Sequence, residues 1–267
     1  MKSVKNQKEI HGVGEWASSS ENIQKGCEHD CRYCYAHGIG KHYGWAPKRW
    51  SEPVLREDKL GKGFRKRSGR IMFPTTHDIT ERNIDHCIVT LGRMLAAGNE
   101  VLIVSKPHLS CIKAICSEFV DYKDQILFRF TIGSANNRIL EYWEPGAPSF
   151  GERLCCLKLA YRKGFQTSVS CEPMLDQNIH AVIKKVRPYV TDAIWLGRAN
   201  RLRCCIAQNC PGDLEVARKA DELIKLLSDD FVWQLYESYK NDPLIKWKDS
   251  IKKVIGLKRP RVRGLDV

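Results

Sequence analysis

The sequence predicts an α/β fold, a partial (β/α) barrel of about six units, on two observations. Short apolar runs of strand character alternate with segments whose apolar residues recur every three or four positions. No sequence repeat, low-complexity block or apolar run of about 18 residues interrupts that alternation. Ile71 to Phe73 reads as a strand, and Ile84, Cys87, Ile88, Leu91, Met94 and Leu95 follow at helical spacing. Val101 to Val104 is a strand, Ile112 to Phe119 a helix, and Ile126 to Ile132 a strand. Ser149 and Glu152 form a capping box that opens a helix through Ala160, ending near Gly164. Thr167 to Ser170 is the next strand. Asp176 is expected to cap a helix carrying Ile179, Val182, Ile183 and Val186, which Pro188 ends. Ala193 to Leu196 is a strand, Asp213 opens a helix with Leu214, Ala217, Ala220, Ile224 and Leu227, and Phe231 to Trp233 reads as a last strand.

Strands alternating with helices imply a parallel sheet with the helices outside it, and a doubly wound open sheet is the alternative to the barrel. In either architecture, functional side chains gather just beyond the C-terminal ends of strands. The expected organisation is an N-terminal extension over 1–20, the barrel over 21–235 with a basic insertion at about 41–70, and a basic helix and tail over 236–267. The tail from Lys258 is expected to be ordered only if it docks.

Hydrophobic residues make up 43% and charged residues 28%, which excludes a disordered chain. Met1 to Glu15 is polar and lacks the apolar segment of a secretory signal. A cytoplasmic protein with no membrane partner is therefore expected. In that reducing setting twelve cysteines are not read as structural disulfides. Metal binding or simple burial must account for them.

The net charge of +13 is concentrated in two places. Lys41 to Arg70 holds ten Lys/Arg against three acids, and Lys246 to Arg263 holds eight against one. Such patches suit a polyanion such as DNA or RNA. The first also interleaves Tyr43, Trp45, Trp50 and Phe64, which can stack on bases. A solvated basic surface is the plainer reading, and it is favoured for the second segment.

The strongest chemical signal is Gly26-Cys27-Glu28-His29-Asp30-Cys31-Arg32-Tyr33-Cys34-Tyr35. A loop with C-x3-C-x2-C spacing can bring three thiolates to one metal centre. Iron–sulfur clusters usually take four thiolates, so three leave one iron open. An open metal position implies chemistry rather than structure alone. Zinc completed by His29 or His37 is the alternative, but zinc motifs usually pair two C-x2-C knuckles, and no second pair stands at a normal distance.

This spacing, with aromatic Tyr33 before the last cysteine, resembles the signature of the radical S-adenosylmethionine (SAM) superfamily. The resemblance implies a [4Fe-4S] cluster on Cys27, Cys31 and Cys34, with SAM chelated at the open iron. It implies reductive cleavage of SAM to methionine and a 5′-deoxyadenosyl radical, which abstracts hydrogen from a substrate. It further implies a reductant such as flavodoxin or ferredoxin, and places Tyr33 against the adenine.

Three further segments resemble the spore photoproduct lyase-like branch: Thr75-Thr76-His77-Asp78-Ile79 with Asn83-Ile84-Asp85-His86; Val104-Ser105-Lys106; and Phe128 to Ser134 with Glu144-Pro145-Gly146-Ala147-Pro148-Ser149-Phe150 and Glu152-Arg153. The match runs from about Gly26 to Glu172. It implies His77 and Asp78 near the methionine end of SAM, Lys106 paired with its carboxylate, and Thr131 or Ser134 at the ribose. A lysine suits that carboxylate in a dry site. Taken from residue type alone, Asp78 reads equally as a helix cap and Lys106 as a strand end. The chain departs from the branch at Thr75, where the photoproduct enzyme has its hydrogen-donating cysteine, at His77, where it has a serine, and throughout the C-terminal third. Photoproduct repair is therefore not expected. Ser170-Cys171-Glu172-Pro173 resembles instead a phage-associated three-cysteine radical SAM family.

Cys171 ends a strand and is a candidate hydrogen donor, with a buried structural cysteine as the alternative. Glu172 follows as a candidate contact for SAM or substrate. Cys204, Cys205 and Cys210 form a second group, a candidate auxiliary metal site with help from Cys155 or Cys156. Arg198, Arg201 and Arg203 follow a strand and could bind phosphate. Two functional classes result: a radical SAM enzyme acting on a nucleic acid or nucleotide-like molecule, or else on a peptide or small molecule; and a non-catalytic, metal-stabilised nucleic-acid-binding protein.

Overall fold

The computed structural model describes residues 9–265. Its strands, in chain order, are β1 (Ser19–Ser20), β2 (Gln24–Lys25), β3 (Val54–Leu55), β4 (Ile71–Phe73), β5 (Val101–Ser105), β6 (Ile126–Thr131), β7 (Gln166–Cys171), β8 (Ile194–Leu196) and β9 (Ile245–Trp247). The helices are α1 (Val13–Trp16), α2 (Tyr35–His42), α3 (Glu57–Leu60), α4 (Ile84–Ala96), α5 (Leu109–Glu118), α6 (Asn137–Trp143), α7 (Phe150–Arg162), α8 (Ile179–Val186), α9 (Leu202–Asn209), α10 (Leu214–Leu226), α11 (Asp229–Tyr239) and α12 (Asp249–Ile255).

All strands but β2 and β3 join one parallel seven-stranded sheet in the order β1-β4-β5-β6-β7-β8-β9. Within that sheet each neighbour in space is also the next strand in the chain, so the order never reverses. A doubly wound sheet reverses at a switch point, and this sheet instead curls in one direction as a partial barrel. β2 and β3 form a small antiparallel pair that ties the basic segment to the chain just ahead of the cysteines.

The strands sort their side chains by alternation, as a pleated sheet requires. In β6, Ile126, Phe128 and Phe130 join the large core beneath the helices, whereas Leu127 projects to the concave side with Met72, Leu102, Trp195 and Trp16. Because both faces are covered, β6 reads as the near-continuous apolar run expected of a buried parallel strand. On the concave side the Arg129 guanidinium lies 4.7 Å from the Trp16 ring and 5.3 Å from the Trp195 ring, and pairs with Asp192 at 2.9 Å.

Ser149 caps α7 by accepting the Glu152 N–H at 3.3 Å, and Asp213 caps α10 by accepting the Val216 N–H at 3.0 Å, as expected. Three expectations change. Asp176 is not the cap of α8; Asn178 stands there, and Asp176 accepts the Asn178 N–H at 2.7 Å from one turn back. Phe231 to Trp233 is not a strand but part of α11, whose N-terminus is set by Ser228 accepting the Phe231 N–H, with Asp229 and Asp230 in the first turn. The last strand is β9, where an apolar run is interrupted by Lys246, its ammonium 5.6 Å from the Trp195 ring.

The chain ends meet. The Ile10 N–H donates to the Pro260 carbonyl at 2.8 Å, and the Gly264 N–H to the Gly14 carbonyl at 2.9 Å. The expected tail is thus docked as far as it is described, and the expected N-terminal extension supplies α1 and the edge strand β1. Residues 1–8 of that extension and 266–267 of the tail lie outside the described residues.

Candidate active site

Cys27, Cys31 and Cys34 hang from one loop between β2 and α2, over the C-terminal ends of β4 and β5. Cys27 and Cys31 are buried and Cys34 half-buried. The loop is anchored from several directions. The Cys27 N–H donates to the Trp50 carbonyl at 2.8 Å, and the Arg32 N–H to the Trp143 carbonyl at 3.0 Å. Asn209, at the end of α9, donates from Nδ2 to the carbonyls of Arg32 and Cys34, each at 2.9 Å. The Gly146 N–H donates to the His29 carbonyl at 3.1 Å, and a side chain at Gly146 would collide with the Glu28 backbone. Gly26 has φ near +89°, and the Trp50 carbonyl oxygen lies 2.7 Å from where its Cβ would stand.

Burial, then the charges of Asp78 and the neighbouring Cys31, push the Cys27 thiol well above its usual range. Burial likewise raises Cys31. Burial pushes Cys34 up to about 11, opposed by backbone N–H groups of His37 and Ala36 in the first turn of α2. Three close, buried thiols resist ionising together. A bound metal centre would reverse that preference, because metal ligation requires thiolates.

Asp78 is the hub beside this loop. Its Oδ1 accepts the Lys106 backbone N–H at 2.7 Å and the Ser105 hydroxyl at 2.9 Å. Its Oδ2 accepts from His29 Nδ1 at 2.9 Å, faces Lys106 Nζ at 3.4 Å, and lies 3.8 Å from Cys27 Sγ. Burial works against the Asp78 charge, but the Lys106 ammonium and His29 hold the carboxyl well below the usual range. Among the described residues, Cys27, His29 and Asp78 bring ligand atoms within 4.8 Å of one another.

A second buried pair supports the loop from the other side. Arg153 Nη2 and Glu144 Oε2 form an ion pair with neither side chain exposed. The Tyr33 hydroxyl donates to the other Glu144 oxygen, and the Tyr33 ring lies 5.8 Å from Lys106 Nζ. Arg153 also donates to the Pro148 carbonyl at 2.8 Å and the Thr131 carbonyl at 3.2 Å. The Glu144-Pro145-Gly146 segment therefore braces both the cysteine loop and Tyr33.

Tyr33, Asp78 and Lys106 thus gather around the cysteines. His77 lies beside them but spends both ring nitrogens on backbone: Nδ1 donates to the Asp78 carbonyl at 3.0 Å and Nε2 accepts the Ile23 N–H at 3.3 Å. Burial lowers it to about 4, so it is neutral in this role. Thr131 ends β6. The Ser134 hydroxyl donates to the Asp176 carboxylate. Cys171 shares the helix-side core with Val169, Ile194 and Leu196, and has no exposure. By strand alternation its thiol points away from the concave face. Cys204 is exposed and Cys205 buried on α9, about 100° apart around the axis, and Cys210 follows the helix end. Cys155 and Cys156 lie apart on α7. A cavity of about 170 Å³ opens on the loop, lined by Asp30, Cys31, Arg32, Pro145, Asn209 and Cys210.

No family model matches the chain. It is 26% identical over 188 residues to an uncharacterized protein, ORF301, of Acidianus two-tailed virus, a match that takes in 62% of this chain and 60% of that protein. Among solved structures it is similar to spore photoproduct lyase. A variant of that enzyme with dinucleoside spore photoproduct superposes with a TM-score of 0.55 at 12% identity, covering 91% of this chain and 79% of the other. A variant with bound AdoMet and the same dinucleoside superposes at 0.53 with 13% identity. The likeness shows the fold, a partial barrel shared with that enzyme.

Glu172, the candidate contact for SAM or substrate, shares a buried lysine with Glu15. Lys248 Nζ lies 2.7 Å from Glu15 Oε1 and 3.5 Å from Glu172 Oε2. It also donates to the Gly12 carbonyl at 3.1 Å. Lys248 and Lys252 are buried, so the C-terminal basic segment is partly interior. One lysine between two carboxylates leaves Glu172 undercompensated. Burial pushes its carboxyl up to about 7, with Asp249 and Glu15 adding and Lys248 opposing. An unfolded glutamate ionises near about 4.3. Between those values the native chain holds a proton that the unfolded chain has lost, so this group's contribution to stability falls as pH rises towards 7. Glu172→Gln removes that loss. Its stability relative to the parent is expected to rise between pH 5 and pH 8 by about 2–3 kcal/mol, read by urea unfolding at both values. A difference that does not change with pH would contradict the assignment.

Proposed function

We propose that the chain is a radical SAM enzyme whose substrate is a nucleic acid or a nucleotide-like molecule. The observation that carries the first half is three thiols on one loop, two buried and one half-buried, set against the Asp78–Lys106 pair beyond the ends of β4 and β5. The donor set fits a [4Fe-4S] cluster: three soft sulfur ligands on one loop, with His29 and Asp78 beside Cys27. When bound, such a cluster supplies the electron that cleaves SAM to methionine and a 5′-deoxyadenosyl radical, which abstracts hydrogen from the substrate, with flavodoxin or ferredoxin as the class of reductant.

The chain's own residues bind and orient. Lys106 offers its ammonium to the SAM carboxylate, and Asp78 holds that ammonium in place through both the side chain and the backbone N–H. Tyr33, fixed by Glu144 and Arg153, offers a ring face for adenine. Thr131 at the end of β6, or Ser134 just after it, would meet the ribose. Glu172 faces the mouth from β7. Cys204, Cys205 and Cys210 stand as an auxiliary site only if a metal draws them together.

The second half rests on the basic segment. Lys41, Lys48, Arg49, Lys62, Arg65 and Lys66 are exposed, and Tyr43 is 72% exposed beside them. Trp50 is buried and stacked on His37 at 4.8 Å, so it anchors the segment to the cysteine loop rather than reading bases. Arg198 and Arg203 are paired with Asp229 and Asp221 at 2.7 and 2.6 Å, which weakens the case for them as phosphate ligands. Reductive cleavage of SAM tests the chemistry, and oligonucleotide binding tests the substrate class. A fluorescent single-stranded oligonucleotide is expected to bind with a steep salt dependence. Replacing Lys48 and Lys62 by Ala is expected to lower the slope of log affinity against log salt by about 1.4, two phosphates' worth. An unchanged slope, or no binding at low salt, would contradict a nucleic-acid substrate and favour a peptide or small molecule.

A further inference from the structure

His29 sits inside the cysteine motif, yet its ring is fully buried and turned away from solvent. It is the middle of a file whose first two links are hydrogen bonds and whose last is a longer polar contact. Asp78 Oδ2 lies 2.9 Å from His29 Nδ1, His29 Nε2 lies 2.8 Å from His108 Nε2, and His108 Nδ1 lies 3.9 Å from Glu152 Oε1. Glu152 is itself fixed, accepting the Leu109 N–H at 2.9 Å while its own N–H is held by Ser149. Exposure of the side chains rises along the file, from none at His29 to 21% at His108 and 37% at Glu152. The donors are ordered from one end. An ionised Asp78 only accepts, so His29 must donate from Nδ1, which leaves its Nε2 for the hydrogen bond with His108.

This arrangement matters because Asp78 sets the geometry of two groups at once. It holds Lys106 by two contacts and touches the Cys27 thiol. If His29 turned, Asp78 would lose its strongest partner on Oδ2, and the spacing between Cys27 and Lys106 would relax. His108 comes from the turn that opens α5, an element that touches neither the cysteines nor Lys106 through any other side chain described above.

We propose that His108 is a positioning residue for the cysteine loop, acting through His29 on Asp78 and so on the hold that Cys27 keeps on its metal centre. This rests on reading the loop as the cluster site. Partners that touch a metal's ligands directly typically change metal affinity about 10–100-fold when removed, and His108 stands two contacts further out, so an effect of about tenfold at most is expected. The same logic assigns the His108 ring a specific requirement: a hydrogen-bonding nitrogen aimed at His29, not merely a filled space.

The test uses the anaerobically reconstituted full chain and the rate of iron release to a chelator. His108→Leu, which fills the space without a hydrogen-bonding group, is expected to release iron faster than the parent by a factor of about three to ten. His108→Gln, which can donate from its amide nitrogen, is expected to recover most of that loss. Thermal unfolding of both metal-free variants checks that each is folded. Equal iron release in His108→Leu and the parent would overturn the positioning role, as would equal defects in the Leu and Gln variants. A parent chain that takes up no iron would instead overturn the cluster reading beneath it.

Discussion

Cys31→Ala is expected to take iron and sulfide in the reconstituted chain from near four of each to near none, and to abolish 5′-deoxyadenosine formation. Cys31 is the middle thiol of the loop and lies at the floor of the cavity bounded by Arg32, Pro145 and Asn209. Its removal leaves two thiols, one of the three that this loop offers being lost, where iron–sulfur clusters are usually held by four. The loop itself should survive, because its backbone anchors on Trp50, Trp143, Gly146 and Asn209 do not involve the Cys31 side chain. Iron quantitation and the visible absorption of the cluster read the result. A variant that still carried a full cluster would remove Cys31 from the ligand set.

Glu144→Ala should have the largest effect on stability. It leaves Arg153 with a buried charge and no ionic partner, in a place where neither side chain reaches solvent. Breaking one side of a buried pair costs about 3–5 kcal/mol, mostly because the remaining charge is stranded. Arg153 keeps the carbonyls of Pro148 and Thr131, which offset a part of that cost. Tyr33 would lose its acceptor in the same step. Urea unfolding of the metal-free chain reads the change, and a loss under about 1 kcal/mol would mean that the pair is not buried as described.

Much of the barrel was legible because its strands are buried on both faces and read as apolar runs, as in β5 and β6. The three cysteines were legible because they fall within eight residues, and Asp78 and Lys106 because their segments resemble the spore photoproduct lyase-like branch. What the sequence hid was long-range pairing. Lys248 looked like one more cation of a basic tail, but it is buried between Glu15 and Glu172, residues from two distant elements. Nothing local in the sequence marks Asn209, whose amide ties α9 to the cysteine loop. His108 and Glu152 were missed for the same reason, although His29 lay within the motif and its type alone could have prompted a search for a partner. β9 was hidden by Lys246, whose stem lies in the sheet while its charge meets Trp195. Phe231 to Trp233 misled because three apolar residues fit either period, and the capping Ser228 decides between them.

The central claim is that the three thiols hold a cluster that cleaves SAM. The measurement that tests it most directly is 5′-deoxyadenosine released by the anaerobically reconstituted chain with SAM and a chemical reductant. The account predicts product that requires both iron and the reductant. A stably loaded, reducible cluster that leaves SAM intact would contradict it, and a chain that binds zinc in place of iron would point to a structural metal site in a nucleic-acid-binding protein.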